Sequence, residues 1–232
     1  MKLTRRILLA STMLLTAMGP ALAEDVARED TAIFDLDRTI KDPENFNWFT
    51  AGTKREHGAH QAMWEPLFIL NYTTGKLDPW LATGITPNAD FSEWTMTLRE
   101  GVEWSDGEAF NADDVVFTVN MVKNNDELSA REALTAPNPR FPTENFGVRI
   151  FGSFLPMPEH IWSQVDNPAT FAFYPPIGTG PYTHASGATN RMIWDRNDNW
   201  WGAKTGFRDL PEPRRLIWLE TGGEESRAQL MA

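Results

Sequence analysis

The stretch Trp94–Lys123 predicts a strand, a turn and a helix in close succession. Apolar and polar residues alternate strictly from Trp94 to Leu98, which is the period of a half-buried strand. Ser105-Asp106-Gly107 has the composition of a turn, and Asn111 is a good N-cap for a helix whose first turn is acidic. The buried stripe of that helix is predicted to consist of Ala112, Val115, Val116, Val119 and Val122, which recur at helical spacing.

Composition excludes several classes of function. The net charge of −11 disfavours binding to nucleic acid or to an anionic membrane surface. There is no cysteine, so a disulfide framework, a thiolate nucleophile and a cysteine zinc site are all impossible. The ten tryptophans fit either a packed core or a platform on which flat ligands stack, and composition alone favours the core.

Residues 1–23 have the pattern of a secretory signal peptide. Basic residues precede an apolar run from Ile7 to Met18, and Ala21-Leu22-Ala23 fits a cleavage site before Glu24. Two adjacent arginines, Arg5 and Arg6, leave both the general and the twin-arginine export routes open. We therefore expect a periplasmic protein, cleaved after Ala23.

The string LREGVEWSDGEAFNADDVVFTVN, which spans Leu98–Asn120, resembles a signature of the bacterial extracellular solute-binding proteins of family 5. These are the peptide, nickel and oligosaccharide receptors of ABC importers. WEPLFILN, PIGTGPY and NDNWWG, further along the chain, are also similar to family motifs. The positions assigned to the structural motif are Asp106, Gly107, Asp114, Gly178, Gly180 and Pro181. A phosphate-binding loop at the glycines is disfavoured, because no helix with Lys-Ser/Thr follows, and we expect the two glycines to permit positive φ in a tight corner.

The resemblance implies an α/β fold with mixed sheets, in the form of one lobe of a type II periplasmic binding protein. It implies a first lobe made of residues 24–50 and 142–232, and an inserted subdomain at 51–141 with an internal deletion near 124–136. The second lobe of the family is expected to be absent, so that this chain is an N-terminal fragment. Implied partners are a small oligomeric solute and the ABC permease subunits, with no cofactor, and we expect a monomer.

The candidate ligand-binding residues are Asn45, Asn47, Trp48, Trp200 and Trp201. The first three lie in a polar loop that, in the family, is found at the mouth of the ligand cleft, and asparagine amides and indole rings can bind hydroxyls and stack on sugars. Turn formation by the asparagines and burial of the rings are the open alternatives. The abundance of tryptophan favours an oligosaccharide over an oligopeptide as the ligand.

No catalytic residue and no metal site are predicted. A secreted glycoside hydrolase is the rival function, and it would need two carboxylates about 5 to 10 Å apart, one of them with a raised pKa. Most acidic residues lie instead in predicted turns and caps. His57 and His60 form a close pair but have no carboxylate or cysteine partner at ligand spacing, which argues against a nickel site.

Overall fold

The computed structural model describes residues 25–36, 39–49, 60–128, 139–146, 154–220 and 222. Its largest sheet has four strands, in the order β1-β8-β7-β6. The strands are β1 (Thr31–Leu36), β6 (Tyr182–Ala188), β7 (Arg191–Arg196) and β8 (Arg215–Glu220). β1 is parallel to β8, with Ile33 opposite Ile217, whereas β7 is antiparallel to both of its neighbours. The predicted α/β class with a mixed sheet is therefore confirmed.

Two short hairpins stand apart from this sheet. One pairs β2 (Phe68–Asn71) with β3 (Lys76–Pro79), and the other pairs β4 (Ala82–Pro87) with β5 (Trp94–Leu98). Strand β5 confirms the alternation read from the sequence, because its even and odd positions alternate between half-buried and exposed. Among the described residues, the first strand ends at Leu36.

The longest helix among the described residues is α1 (Ala112–Asn124), and its N-terminus is as predicted. The Asn111 side chain accepts a hydrogen bond from the backbone N–H of Asp113 at 2.7 Å, and Asp114 Oδ2 accepts one from the Asn111 N–H at 2.9 Å. This reciprocal arrangement is a capping box. The remaining helices are short: α2 (Phe141–Asn145), α3 (Glu159–Trp162) and α4 (Trp201–Lys204), with 3₁₀ turns at Arg28–Asp30 and His60–Ala62.

The predicted buried stripe of α1 is wrong in part. The buried residues of the helix are Asp114, Thr118, Met121 and Val122, whereas Val116 is 56% exposed. The helix is rotated relative to the predicted orientation because Thr118 is bonded to the segment that contains Met157. The Met157 N–H donates to the Thr118 hydroxyl at 2.8 Å, and that hydroxyl donates to the Asp114 carbonyl at 2.7 Å. A buried polar pair with satisfied hydrogen bonds thus takes the place that an apolar stripe would occupy.

Buried apolar residues form two clusters. The first lies under the large sheet and contains Phe46, Trp162, Trp194 and Trp218, and the second surrounds Leu67, Leu81, Trp104 and Trp201. Ile177 packs against both clusters. The segment that follows Ile177 therefore joins the two parts of the core.

Gly178 and Gly180 in this segment are needed for a reason other than the one predicted. Neither is among the described residues with positive φ. A Cβ at Gly178 would lie 2.2 Å from the Met63 carbonyl oxygen, and a Cβ at Gly180 would lie 2.7 Å from the Ala62 carbonyl oxygen. The Gly180 N–H donates to the Met63 carbonyl at 2.7 Å, so glycine is required here because two backbones touch.

Several predictions lie outside the described residues. They are the signal peptide at 1–23 and most of the deletion region near 124–136. The assignment of residues 24–50 and 142–232 to one lobe, with 51–141 inserted, stays a prediction. Within the described part of the chain, no helix has both the length and the apolar character needed to cross a bilayer.

Candidate functional site

The loop that contains Asn45, Asn47 and Trp48 is held firmly against a second segment of chain. The Asn47 amide donates to the carbonyls of Pro168 and Phe171, at 2.7 and 2.8 Å, and its oxygen accepts from the Phe49 N–H at 2.8 Å. Asn45 Oδ1 accepts from the Asn47 N–H at 3.0 Å. Asn47 is buried, and its contacts fix the shape of the loop.

Trp48 is also buried and packs edge-on against Trp64, with 6.0 Å between ring centroids. The same loop places Phe46 beneath Tyr174, whose ring is stacked on it at 6.2 Å and is 46% exposed. The surface beside the loop therefore presents the ring of Tyr174, a residue that the sequence did not single out. Direct contact between a ligand and Asn45, Asn47 or Trp48 stays a prediction.

Trp200 and Trp201 lie at the start of α4. Both are buried in the second apolar cluster. The Trp200 indole N–H donates to the Thr179 carbonyl at 2.9 Å, which connects α4 to the glycine corner. The two predicted groups of ligand-binding residues thus pack in different clusters of the core, with Trp48 in the first and these two residues in the second.

Glu65 is the buried charge around which the second cluster is built. Its carboxylate accepts from the Trp80 indole N–H at 3.0 Å through Oε1, and from the Trp201 indole N–H at 2.8 Å through Oε2. Burial raises the pKa of Glu65 from its ordinary value of 4.5 to about 7, although the indole hydrogen bonds oppose this shift. The group therefore exchanges its proton near neutral pH.

Two arginines lie close to this carboxyl group. Arg99 directly follows β5; its Nε donates to the Trp80 carbonyl at 2.6 Å and its guanidinium lies 4.0 Å from the centre of the Phe207 ring. Burial lowers the pKa of Arg99, and the charge of Glu65 acts in the opposite direction. Arg208 is exposed, and its guanidinium lies 4.9 Å from the centre of the Trp80 ring.

Glu65 opens onto a cavity of about 360 Å³. Its lining is predominantly apolar and consists of Gln61, Trp64, Glu65, Pro66, Ile69, Trp80, Pro181, Trp200, Arg208, Asp209 and Pro211. Trp200 is the single member of the five predicted ligand-binding residues in this wall. Glu65, Trp80 and Arg208 were not among the sequence candidates. An acidic residue inside an apolar run, as in the WEPL motif, is a signal for Glu65, whereas no local pattern points to Trp80 or Arg208.

A second concavity, an open groove of about 380 Å³, lies at the C-terminal end of α1. Its lining is mixed: the polar residues are Asn120, Asn124, Asn125, Ser163 and Asp166, and the apolar ones include Phe117, Met121 and Val165. Trp162 also lines it, and its indole N–H has no hydrogen-bond partner among the described residues. None of the predicted ligand-binding residues lines this groove.

The residues that the sequence analysis assigned to the structural motif make contacts that stabilise the fold. Asp114 Oδ1 accepts from the Glu159 N–H at 2.9 Å, so the capping residue of α1 also caps α3. Asp106 Oδ2 lies 2.7 Å from His160 Nε2, and the Ser105 N–H donates to the Gly178 carbonyl at 2.8 Å. Gly107 has a φ of 94°, which its turn requires.

The described residues contain no group of three or more acidic, histidine or cysteine side chains that could hold a metal ion. His57 lies outside the described residues, so the histidine pair is not examined by the structure. The chemistry that the Glu65 cavity offers is recognition: apolar walls, one buried acid, and Arg208 with Asp209 at its edge.

Residues 76–231 match the family model of the bacterial extracellular solute-binding proteins, family 5 Middle. The chain is 28% identical over 192 residues to the nickel-binding periplasmic protein of Escherichia coli, covering 73% of this chain and 36% of that protein. It is 32% identical over 152 residues to protein XP55 of Streptomyces lividans, covering 58% of this chain and 27% of the other.

Solved structures give the same result. The periplasmic oligopeptide-binding protein of an oligopeptide ABC transporter from Thermotoga maritima superposes with a TM-score of 0.74 at 26% identity, over 88% of this chain and 40% of that one. The same protein with mannohexaose bound gives equal values. The chain thus spans well under half the length of these relatives.

Proposed function

This chain belongs to the bacterial extracellular solute-binding proteins of family 5, and we propose that it serves as a periplasmic receptor that delivers an oligosaccharide or an oligopeptide to an ABC importer. One observation carries the proposal: 88% of the chain superposes on the Thermotoga maritima protein, which is described as oligopeptide-binding and has also been captured with mannohexaose. Homologues of the family are periplasmic. In the proposal, residues 1–23 are the export signal and are removed after Ala23.

The receptor binds its solute without changing it. Members of the family are solute-binding proteins and not enzymes, which supports the expectation of no catalytic residue. In proteins of this kind, a ligand shifts the population toward a closed state, and an importer can recognise that state. The partners in the proposal are the solute and the permease subunits, and the receptor acts as a monomer.

Asn45, Asn47, Trp48, Trp200 and Trp201 remain the proposed ligand-site residues. The support for Trp200 is the cavity that it lines. The support for the loop residues is rigidity, since the contacts of Asn47 hold the loop in one conformation and a preformed site binds at a lower entropic cost. Tyr174 next to this loop adds an exposed ring on which a sugar or peptide could stack.

The test is a titration of the chain with mannohexaose and with an oligopeptide library, followed by calorimetry and by analysis of the recovered ligand. We expect weak but saturable binding of one of the two classes, because the chain spans well under half the length of its relatives, and we expect the ligand to be recovered intact. Tyr174→Ala should weaken this binding about fivefold, since stacking contacts contribute about 1 kcal/mol. Tyr72→Ala, which removes an exposed tyrosine far along the chain, is the matched control and should leave the affinity unchanged.

Two results would contradict the proposal. Release of shortened saccharides would favour the glycoside hydrolase instead. A lack of binding to both ligand classes at millimolar concentration would also overturn it.

A further inference from the structure

The side chain of Glu65 joins two segments that lie far apart in the sequence. Trp80, in the connection between β3 and β4, donates its indole N–H to Oε1 at 3.0 Å. Trp201, at the start of α4, donates its indole N–H to Oε2 at 2.8 Å. Glu65 is buried, so these protein groups take the place of water around the carboxyl group. The carboxyl group is therefore a bridge between the β3–β4 connection and α4.

The two indole bonds need an acceptor on each oxygen of Glu65. A carboxylate accepts through both oxygens, whereas a protonated carboxyl group carries a hydrogen on one of them, and that oxygen becomes a donor. An indole N–H can only donate, so it cannot adapt to this change. The hydroxyl of Thr179, which also interacts with Glu65, can donate to the carboxylate or accept from the acid. Protonation therefore strengthens the role of Thr179 and weakens one of the two indole bonds.

Trp80 is the indole that can move away from Glu65. Its bond is the longer of the two, and it is only half-buried, with the exposed guanidinium of Arg208 at 4.9 Å from the centre of its ring. The edge of Phe207 is its other aromatic contact. Trp201 is 1% exposed, and its ring is stacked on Phe207 with 5.1 Å between the centroids. Packing alone therefore keeps Trp201 in place, whereas Trp80 loses its partner on the inner side.

Trp80 forms part of the wall of the Glu65 cavity. From the two bonds, the chemistry of the carboxyl group and the position of this ring, we propose that Glu65 is a proton-controlled switch: the carboxylate holds the Trp80 indole in the cavity wall, and protonation releases the indole and widens the cavity. Burial raises the pKa of Glu65 to about 7, so both states are populated near neutral pH. The switch does not depend on the class of solute that the chain delivers.

The other charged groups around Glu65 come from two segments. Arg99 interacts with it from the end of β5, and Arg208 and Asp209, which follow α4, lie at the edge of the cavity. Guanidinium groups stay protonated between about pH 5.5 and about pH 8.5. Thr179 and the indoles around the carboxyl group carry no charge. Asp209 is the other acid in the cavity lining, and it is removed in a control variant below.

The experiment labels the chain with 5-fluorotryptophan and follows the fluorine NMR spectrum from about pH 5.5 to about pH 8.5, with resonances assigned by Trp→Phe variants. We expect the resonances of Trp80 and Trp201 to shift with a midpoint at about pH 7. A neutral nitroxide in solution should broaden the Trp80 resonance more at the acidic end, because a released ring meets solvent, and should leave Trp201 unchanged. Trp104, whose indole donates to Asp114 at 3.3 Å, is the internal control and should not shift at this midpoint.

Equal broadening of the Trp80 resonance at both ends of the titration would overturn the proposal, because the indole would then sense the charge of Glu65 without moving. In Glu65→Gln the shifts and the change in broadening should disappear. Asp209→Asn is the matched control and should keep both, with the same midpoint. A shift that persists at this midpoint in a folded Glu65→Gln variant would assign it to another group and contradict the proposal.

Trp80→Phe gives a reciprocal test that leaves Glu65 in place. Removal of an indole N–H that favours the carboxylate should raise the midpoint, read at Trp201, by about one pH unit, given the usual strength of a hydrogen bond to a charged group. Trp64→Phe is the control, since it removes an indole that lines the same cavity but donates to the Ile177 carbonyl at 2.9 Å, and its midpoint should be that of the parent. An unchanged midpoint in Trp80→Phe would mean that this indole does not hold the carboxylate, and the proposal would fail.

Discussion

Glu65 shows how one residue can determine the properties of its surroundings. It is 4% exposed and has two indole donors, so its charge is partly stabilised while its burial disfavours ionisation. The sequence placed it in a family motif but gave no reason to expect a proton exchange near neutral pH. That property depends on Trp80 and Trp201, which lie 15 and 136 residues away in the chain.

The raised pKa of Glu65 predicts a pH dependence of stability. The folded chain binds this proton more tightly than the unfolded chain, so the group favours folding below pH 4.5, and this advantage is lost as the pH rises to about 7. The free energy of unfolding should fall by about 3 kcal/mol over this window because of Glu65. Chemical denaturation at several pH values measures the slope.

Glu65→Gln is the comparison for that measurement. Glutamine keeps an acceptor oxygen and cannot ionise, so the slope between pH 4.5 and 7 should become shallower by this amount. An unchanged slope in a folded Glu65→Gln variant would mean that the carboxyl group titrates at its ordinary pKa.

The glycines of PIGTGPY illustrate how a correct expectation can rest on an incorrect reason. A tight corner at Gly178 and Gly180 was predicted, and the residues are needed, but for closeness to Met63 and Ala62 and not for positive φ. A sequence pattern identifies a glycine that cannot be replaced. The partner backbone that makes it irreplaceable lies more than a hundred residues away, where no local pattern points.

At the scale of elements, the sequence was most reliable where the interactions are local. The cap of α1 depends on Asn111 and Asp114, three positions apart, and was predicted at the right residue. Strand β5 was also predicted, since alternation is a local pattern. The buried face of α1 was predicted only in part, because Thr118 gains its partner from Met157, a residue on a different segment.

The orientation of α1 predicts opposite results for two identical substitutions. Val122 is 1% exposed, so Val122→Ala should lower the free energy of unfolding by about 2 kcal/mol through lost burial and the cavity that remains. Val116 is exposed, so Val116→Ala should change it by less than about 0.5 kcal/mol, with a gain in helix propensity. Urea denaturation of the two variants decides between the observed face and the valine stripe, because equal losses would support the stripe.

The candidate site was predicted less well than the elements for the same reason. Tryptophan in a polar stretch fits both an exposed platform and a buried ring, and only the packing of distant segments decides between them. Trp200 and Trp201 pack beside Glu65, whereas Trp48 packs on Trp64, and neither arrangement has a local signature. The cavity edge at Arg208 likewise arises from chain segments that are remote in sequence.

At the scale of the whole molecule, the large sheet joins the two ends of the described chain. β1 begins at Thr31 and pairs along its whole length with β8, which ends at Glu220. Phe34 stacks on Trp218 across this pair at 4.8 Å. The hairpins and helices lie between β1 and β8 in the sequence, and the pairing of these two strands joins residues that are far apart in the chain.

The pairing of β1 with β8 predicts the effect of removing the C-terminal residues that include β8. A chain that stops at Arg214 lacks β8, so β1 and β7 lose the strand that lies between them. We expect loss of the cooperative unfolding transition, measured by circular dichroism during heating. A chain that stops at Gly222 retains β8 and is the control; a transition of similar midpoint in both would show that the sheet does not need its last strand.

The pairing of β1 with β8 also sets an order of events in time. A ribosome makes Thr31–Leu36 early and Arg215–Glu220 only after nearly the whole described chain has been made, so Ile33 and Phe34 have no native neighbour on that side until then. Contacts of this separation form slowly, and unpaired apolar strands are prone to wrong partners while they wait. The chain therefore has a long interval in which a chaperone that holds it unfolded would be of use, and that interval ends when β8 has been made.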